Sequence, residues 1–383
     1  MTTSIHKSSN DATFSQEELS RYNRHIIIPS FGIEAQTKLK NARVLVIGAG
    51  GLGSPVLLYL AAAGVGKIGI IDFDKVDDSN LQRQVLYSIE AIGQPKVKAA
   101  KKRLKELNPF IEIKIFNEIL TSKNALKIFE GYDVISDGSD NFQTRYLVND
   151  AAVILGIPLV YGSILQFEGQ LSVFNYTKKD GSVGPNYRDL YPTPPDAGSI
   201  PSCAEGGVLG VLPGIIGTLQ ATEVIKVITG VGEVLAGKLL LFDALSMNSR
   251  TLKFAKNPNA TPISELIDYN LFCGTKPALK EITVEQLLDW KNNKIDFQLI
   301  DVREQDEYEE IHINGENMPL SKLRHYVESV VRDKKVVVHC KLGGRSISAI
   351  QQLEEQYGFS NLYNLKGGIE AFSVAQHREF TAN

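Results

Sequence analysis

Short β-branched apolar runs alternate with helix-length segments over the first two thirds of the chain. Ala42 to Ile47 (ARVLVI) reads as a strand that runs into glycines, and the apolar stretch from Pro55 to Ala63 then suits a helix. A second run, Ile68 to Ile71, ends in Asp72, and others come at Glu112 to Phe116, Asp133 to Ile135 and Pro158 to Val160. Strands separated by helices predict a parallel α/β sheet. Between Thr177 and Ile200 the pattern dissolves into Gly- and Pro-rich sequence, read as a long functional loop. A shorter apolar pattern after Thr229 ends near Leu252, and Lys256 to Pro262 is turn-rich. The periodicity restarts at Ile282, with a helix over Val284 to Trp290 and strands at Phe297 to Ile300 and Lys335 to His339. The expected organisation is a first domain over 1–270, a linker over 271–281 and a smaller α/β domain over 282–383, with no internal repeat between them.

Composition narrows the partners rather than the fold. The chain has 383 residues, 43% hydrophobic and 22% charged, which suits globular domains and excludes low-complexity sequence. A net charge of −3 without a basic run argues against nucleic acid. Three cysteines cannot build a disulfide framework, and the polar first residues lack the pattern of a signal peptide, so a reducing cytoplasm is expected. The most apolar stretch, Gly206 to Leu219, is shorter than the ~20 residues of a spanning helix and is broken by Pro213, so no membrane segment is expected.

Candidate chemistry begins after the first strand. Gly48-Ala-Gly50-Gly51-Leu-Gly53 lies between a strand and a helix, where glycine backbone can approach phosphate at a positive helix end. Asp72, ending the next strand, suits ribose hydroxyls, as in dinucleotide-binding folds. The sequence beyond Asp72 is unlike a dehydrogenase. Ser79-Asn80-Leu81-Gln82-Arg83 and then Lys96 bring amides and cations that suit a triphosphate, and Asp140-Asn141 ends a strand where a carboxylate can hold Mg²⁺.

These segments, taken in order (RYNRHI from Arg21, GAGGLGS, DFDKVDDSNLQRQ, GQPKV, SDGSDN), resemble the MoeB/ThiF family of adenylyltransferases that activate ubiquitin-like sulfur carriers. The resemblance covers about residues 14 to 255. It implies a Rossmann-like, ubiquitin-activating-type adenylation domain in which Gly51, Asp72, Asn80, Arg83 and Lys96 bind ATP and Asp140 holds Mg²⁺. It also implies a homodimer in which Arg24 reaches the neighbouring protomer's site. The substrate would be the C-terminal glycine carboxylate of a carrier ending in Gly-Gly, attacking the α-phosphate of ATP. Members of the family commonly hold zinc with two CxxC pairs, but the equivalent stretches here are Asn186 to Asp189 and Asn270 to Cys273, so zinc is not expected. Cys203, between the irregular loop and an apolar helix, is either a small buried thiol or, as the resemblance implies, a nucleophile that holds or releases the carrier.

The second domain carries its own motif. Val336 to His339 runs into Cys340-Lys-Leu-Gly-Gly-Arg345-Ser346 and a helix, so converging amides, a helix end and Arg345 all favour a thiolate at Cys340. With Asp301-Val-Arg303-Glu304, Tyr308, His312 and Leu365-Lys-Gly-Gly, the segment from about 280 to 375 resembles a single-domain rhodanese, a sulfurtransferase carrying sulfur as a persulfide. Cdc25-type phosphatases share the fold with a loop one residue longer than the six positions here. Together the two resemblances imply adenylation of the carrier, then sulfur transfer from Cys340 to give a thiocarboxylate, with a cysteine desulfurase or thiosulfate as donor. The rivals are an NAD-dependent oxidoreductase, which leaves Arg83, Lys96 and Asp140 unexplained, and a non-catalytic scaffold for a ubiquitin-like protein.

Overall fold

A computed structural model describes residues 13–195, 206–274 and 279–373. The chain divides into two compact units, 1–276 and 277–383. In the first, β1 (Arg43–Ile47), β2 (Lys67–Ile71), β3 (Glu112–Phe116), β4 (Val134–Asp137), β5 (Leu159–Leu165), β6 (Glu168–Phe174), β7 (Lys238–Asp243) and β8 (Asn248–Lys253) form one sheet. Its order is β3-β2-β1-β4-β5-β6-β7-β8. The strands from β3 to β5 run parallel, as expected, but β5 to β8 pair antiparallel, so the sheet is mixed. The apolar pattern after Thr229 is this antiparallel hairpin of β7 and β8.

β1 is almost fully buried, which its continuous apolar sequence requires of a central parallel strand covered on both faces. One face packs under the helices Gly53–Ala63, Lys96–Leu107 and Leu212–Thr229, and the other under Phe142–Leu155. The helix Leu212–Thr229 sits unusually close to its neighbours. A Cβ on Gly217 would meet the Leu52 carbonyl oxygen at 2.5 Å, and one on Gly162 would meet the Gln220 side chain at 2.4 Å. Gln220 donates from Nε2 to the Asp137 carbonyl at 2.7 Å and ties the helix to the end of β4.

The two stretches at which the resemblance would place zinc ligands are otherwise engaged. Asn186 caps a short helix, Tyr187–Leu190, in a reciprocal box with Asp189, whose other carboxylate oxygen accepts from the Asn257 N–H at 2.8 Å. Cys273 lies buried in the core, where burial raises its thiol pKa and Arg188 only partly opposes this. That donor set does not fit a tetrahedral thiolate site. The lobe is held instead by Asp150, which accepts from Arg188 at 2.8 and 2.7 Å and from the Tyr269 hydroxyl at 2.7 Å. The Arg188 guanidinium lies over the rings of Tyr146 and Phe272, at 5.0 and 4.5 Å. Residues 269–273 therefore pack with the first unit, while Glu281–Ile282 already pairs in the second sheet.

The second unit is a five-stranded, all-parallel sheet of β9 (Glu281–Ile282), β10 (Phe297–Asp301), β11 (Glu316–Asn317), β12 (Lys335–His339) and β13 (Leu362–Leu365), ordered β11-β10-β12-β13-β9. Its central strand β12 ends in His339, fully buried with both ring nitrogens lacking a hydrogen-bond partner among the described residues. Burial lowers the imidazole to about 4, against the attraction of Asp301, whose Oδ2 lies 3.7 Å away but is engaged by Arg303.

Both of these buried clusters bear on stability. Removing the carboxylate in Asp150→Asn leaves a half-buried guanidinium uncompensated, and ~3 kcal/mol should be lost in urea unfolding followed by circular dichroism, while chelator leaves the wild-type midpoint unchanged. His339 is neutral in the folded unit, whereas the unfolded chain binds its proton below about 6.5. Its contribution is therefore complete above pH 6.5 and is lost as pH falls toward 4, by about 3 kcal/mol. The single tryptophan, Trp290, packs in this unit, so its fluorescence reports the transition, and His339→Leu should flatten the slope over that pH window.

Candidate functional site

The strand order reverses about β1, with β2 on one side and β4 on the other, and a crevice opens beyond the carboxyl ends of these strands. Gly48, Gly50, Gly51, Asp72, Arg83, Lys96, Asp140 and Asn141 all line it. Gly48 adopts φ +83°, and its Cβ would stand 3.1 Å from the Gly138 carbonyl oxygen. The turn after β1 is thus pressed against the turn after β4. Asp72 accepts from the Ala49 N–H and the Asp74 N–H, each at 2.8 Å. Burial raises the Asp72 carboxyl, and these bonds together with Lys96 pull it back only in part.

Lys96 begins the helix Lys96–Leu107 with its side chain 7% exposed and pairs with Asp74 at 2.9 Å. Arg83 donates to the Ser79 carbonyl at 3.1 Å and has no carboxylate partner among the described residues. Of these two cations, Lys96 is balanced by an exchangeable carboxylate and Arg83 is available to an anion. At the end of β4, buried Asp137 accepts from the Ser139 N–H at 2.9 Å and fixes the turn. Asn141 caps the helix Phe142–Leu155 and donates to Asp140, whose carboxylate stays exposed. An exposed carboxylate on a crevice lined by Arg83 and Lys96 is the hard oxygen donor that Mg²⁺ takes.

Other sequence-predicted residues lie elsewhere. Gly53 packs rather than lines the pocket, since a Cβ there would meet the Gly48 carbonyl oxygen at 2.0 Å. Ser79, Asn80, Leu81 and Gln82 build the turn that presents Arg83, with Asp77 capping it through the Ser79 N–H and hydroxyl. Gln82 touches the backbone near Gly210. Arg24 is exposed in the last turn of the helix Gln16–Ile26 and does not line this chain's pocket. Cys203 lies outside the described residues. The sequence reading missed Asp74, Glu118, Ile119, Arg145, Ile164 and Val208, which also line the crevice. Glu118, Ile119 and Ile164 were findable, because they sit at the carboxyl ends of β3 and β5. Val208 carries no local signal.

In the second unit Cys340 comes directly after β12. The Gly343 N–H donates to its Sγ at 3.1 Å, and the Ser346 hydroxyl lies 3.6 Å from it. Gly343 takes φ +110° to open the helix Gly344–Tyr357, whose N-terminus thus faces the sulfur. Burial would raise the thiol, but hydrogen bonds from Ser346, Gly343 and Leu342 outweigh it, and the net shift is downward. These donors are of the kind that favour a thiolate. Arg345, whose own pKa is raised chiefly by Glu307 and further by the Cys340 sulfur, favours the thiolate more weakly than those hydrogen bonds. Its guanidinium takes the Glu307 carboxylate at both oxygens, at 2.5 and 2.7 Å, and Glu307 is held down to about 2 by that contact.

The ThiF family profile matches residues 22–263, and the rhodanese-like domain profile matches 283–375. A probable adenylyltransferase/sulfurtransferase MoeZ of Mycobacterium tuberculosis is 48% identical over 94% of this chain and 94% of its own. A sulfur carrier protein adenylyltransferase of Thermus thermophilus is 52% identical over 69% of this chain and 99% of its own. The adenylyltransferase and sulfurtransferase MOCS3 of Drosophila yakuba is 42% identical over 93% and 83%. Among solved structures, E. coli MccB with MccA-N7isoASN shares the fold, with TM-score 0.55 at 22% identity over 64% of this chain and 75% of that one. With both profiles in register and relatives matched along nearly the whole length, this chain belongs to the ThiF family and carries a rhodanese-like domain in the same polypeptide.

Proposed function

We propose that this chain uses ATP to adenylate the C-terminal glycine of a ubiquitin-like sulfur carrier and then converts the acyl-adenylate to a thiocarboxylate with sulfur from a Cys340 persulfide. The observation that carries the reading is the pairing, in one chain, of a glycine-walled crevice holding Arg83 and Lys96 with a cysteine activated by a loop of amides. Relatives similar over both parts are named for both activities.

In the first step the backbone from Gly48 to Gly51 cradles phosphate and Asp72 receives the ribose hydroxyls. Arg83 and Lys96 neutralise charge on the phosphates, with Lys96 exchanging Asp74 for the nucleotide. Asn80, Asn141 and the Ser79–Gln82 turn position these groups. Asp140 would hold Mg²⁺, which supplies further charge neutralisation when bound. Little covalent chemistry is asked of the protein, because transfer at phosphorus rests on positioning and electrostatics.

Carrier docking is supported by an apolar rim. Phe167, Leu209, Leu245 and Met247 are exposed, and the turns bearing them are tied together by Leu209 N–H to Gln166 O and Ala244 N–H to Phe167 O, both at 2.9 Å. Ile164 and Val208, close to these turns, line the crevice itself. In the second step the Cys340 persulfide attacks the acyl carbon, AMP leaves, and an acyl-disulfide forms. A thiolate at Cys203 would attack the Cys340 sulfur, release the thiocarboxylate and leave a Cys203–Cys340 disulfide for an external thiol reductant to reopen, or else hold the carrier before transfer. Arg24 from a second copy completes the site in a homodimer. No helix among the described residues is long and apolar enough to cross a membrane, which is compatible with cytoplasmic work.

Intact mass of enzyme and carrier after incubation with ATP, Mg²⁺ and a sulfur donor tests the whole sequence. The carrier should gain one sulfur in place of one oxygen. Arg83→Ala should abolish ATP–pyrophosphate exchange, by about 100-fold or more, and retained exchange would remove the ATP-site assignment. Cys340→Ser should leave exchange intact and stop sulfur gain. Leu245→Glu should raise KM for the carrier about tenfold with KM for ATP unchanged.

A further inference from the structure

Activation of Cys340 rests mainly on neutral dipoles, while the charge at its mouth is set by carboxylates paired with the loop's cations. The thiolate is stabilised by neutral dipoles: the Gly343 and Leu342 amides, Ser346 and the start of the helix Gly344–Tyr357. The loop's two cations are engaged by carboxylates. Arg345 is gripped by both oxygens of Glu307, and Lys341 lies 3.7 Å from Glu370. The Cys340 sulfur and Asp301 also bear on Arg345, although Arg303 largely satisfies Asp301. Leu342, at the loop's tip, is 65% exposed. The mouth of the site therefore presents an apolar residue between compensated charges.

We propose that Glu307, acting through Arg345, is a specificity-determining positioning residue that turns the Cys340 loop against dianionic sulfur donors and toward monoanionic or neutral ones. The inference rests on the reading of Cys340 as a persulfide carrier and names the chemical class of its donor. In the transfer, the Cys340 thiolate attacks the outer sulfane sulfur of the donor, the new S–S bond forms, and the donor's old bond to that sulfur breaks. Thiosulfate leaves as sulfite, a thiosulfonate as sulfinate, and a thiol persulfide as thiolate. No redox partner is needed. A dianion gains from a free guanidinium at the mouth about twice what a monoanion gains, because Coulomb energy scales with charge. Cancelling that guanidinium withdraws the advantage, whereas a persulfide on a thiol, seated against an apolar tip, loses little.

The test compares two small donors with the same reacting sulfur, the thiosulfate dianion and the methanethiosulfonate monoanion, on the full chain. Glu307→Gln removes the counter-charge, and the amide oxygen can still accept from the Glu304 N–H that Glu307 now caps. The ratio of kcat/KM for thiosulfate to that for methanethiosulfonate should rise about threefold to tenfold, mainly through KM, and the gain should shrink with added salt. Glu370→Gln, an exposed site whose loss leaves the fold unstrained, should move the ratio the same way by less. Trp290 fluorescence checks that each variant is folded. An unchanged or lower ratio in folded Glu307→Gln, or a rise indifferent to salt, overturns the assignment. If wild-type Cys340 gains no sulfur by intact mass from either donor, the persulfide reading itself fails instead.

Discussion

The nucleotide crevice depends on how closely the backbone ending β1 approaches the start of the helix Gly53–Ala63. With the Gly48 carbonyl oxygen 2.0 Å from where a Gly53 Cβ would lie, no other residue fits, and the helix N-terminus is drawn to the end of the strand. The same approach is repeated outward: Gly48 against Gly138, Gly217 against Leu52, Gly51 against Pro213. Each contact brings a further element to the rim of one pocket. Glycine costs conformational entropy in such positions, and the chain recovers it through close packing of a helix, two turns and a second helix around one anion-sized space.

The legible part of the sequence reflects this geometry. The strand–glycine–helix pattern, Asp72 and Asp140 announce themselves because their positions are fixed by local chain direction at the ends of parallel strands. The direction of β6 to β8 did not, since Glu168–Phe174 alternates no differently in an antiparallel pairing than in a parallel one, and only the tight turn at Gln166-Phe167 decides it. The lobe around Tyr269 is a sharper case. Tyr269 reaches Asp150 across 119 positions of sequence, and no motif joins them. The scarcity of cysteine in these stretches is legible; the Asp150–Arg188–Tyr269 cluster that holds the lobe is not.

Arg345 shows the limit of motif reading from the other side. Its spacing from Cys340 is what the loop demands, and it does attract the sulfur, but a carboxylate holds it more strongly. Its partner, Glu307, belongs to a short helix 38 positions earlier, whose own capping already explains a glutamate there. A residue with a sufficient local reason conceals its second role until the fold brings the two charges together.

The two units consequently treat charge in opposite ways at equivalent places, both at the carboxyl end of a central parallel strand before a helix. In the first, Arg83 has no carboxylate partner among the described residues and Lys96 holds one that is itself half exposed, so a polyphosphate meets cations it can claim. In the second, both loop cations are matched by carboxylates and the anion at the centre is the protein's own sulfur, held by amides and a hydroxyl. A site that binds a highly charged substrate gains from unspent cations, and a site that stabilises its own nucleophile gains from dipoles that attract no competing anion. Joined in one chain, the pair can work in the presence of abundant nucleotide without the second site sequestering the substrate of the first, because of the two sites only the crevice beside β1 offers phosphate an uncompensated charge among the described residues.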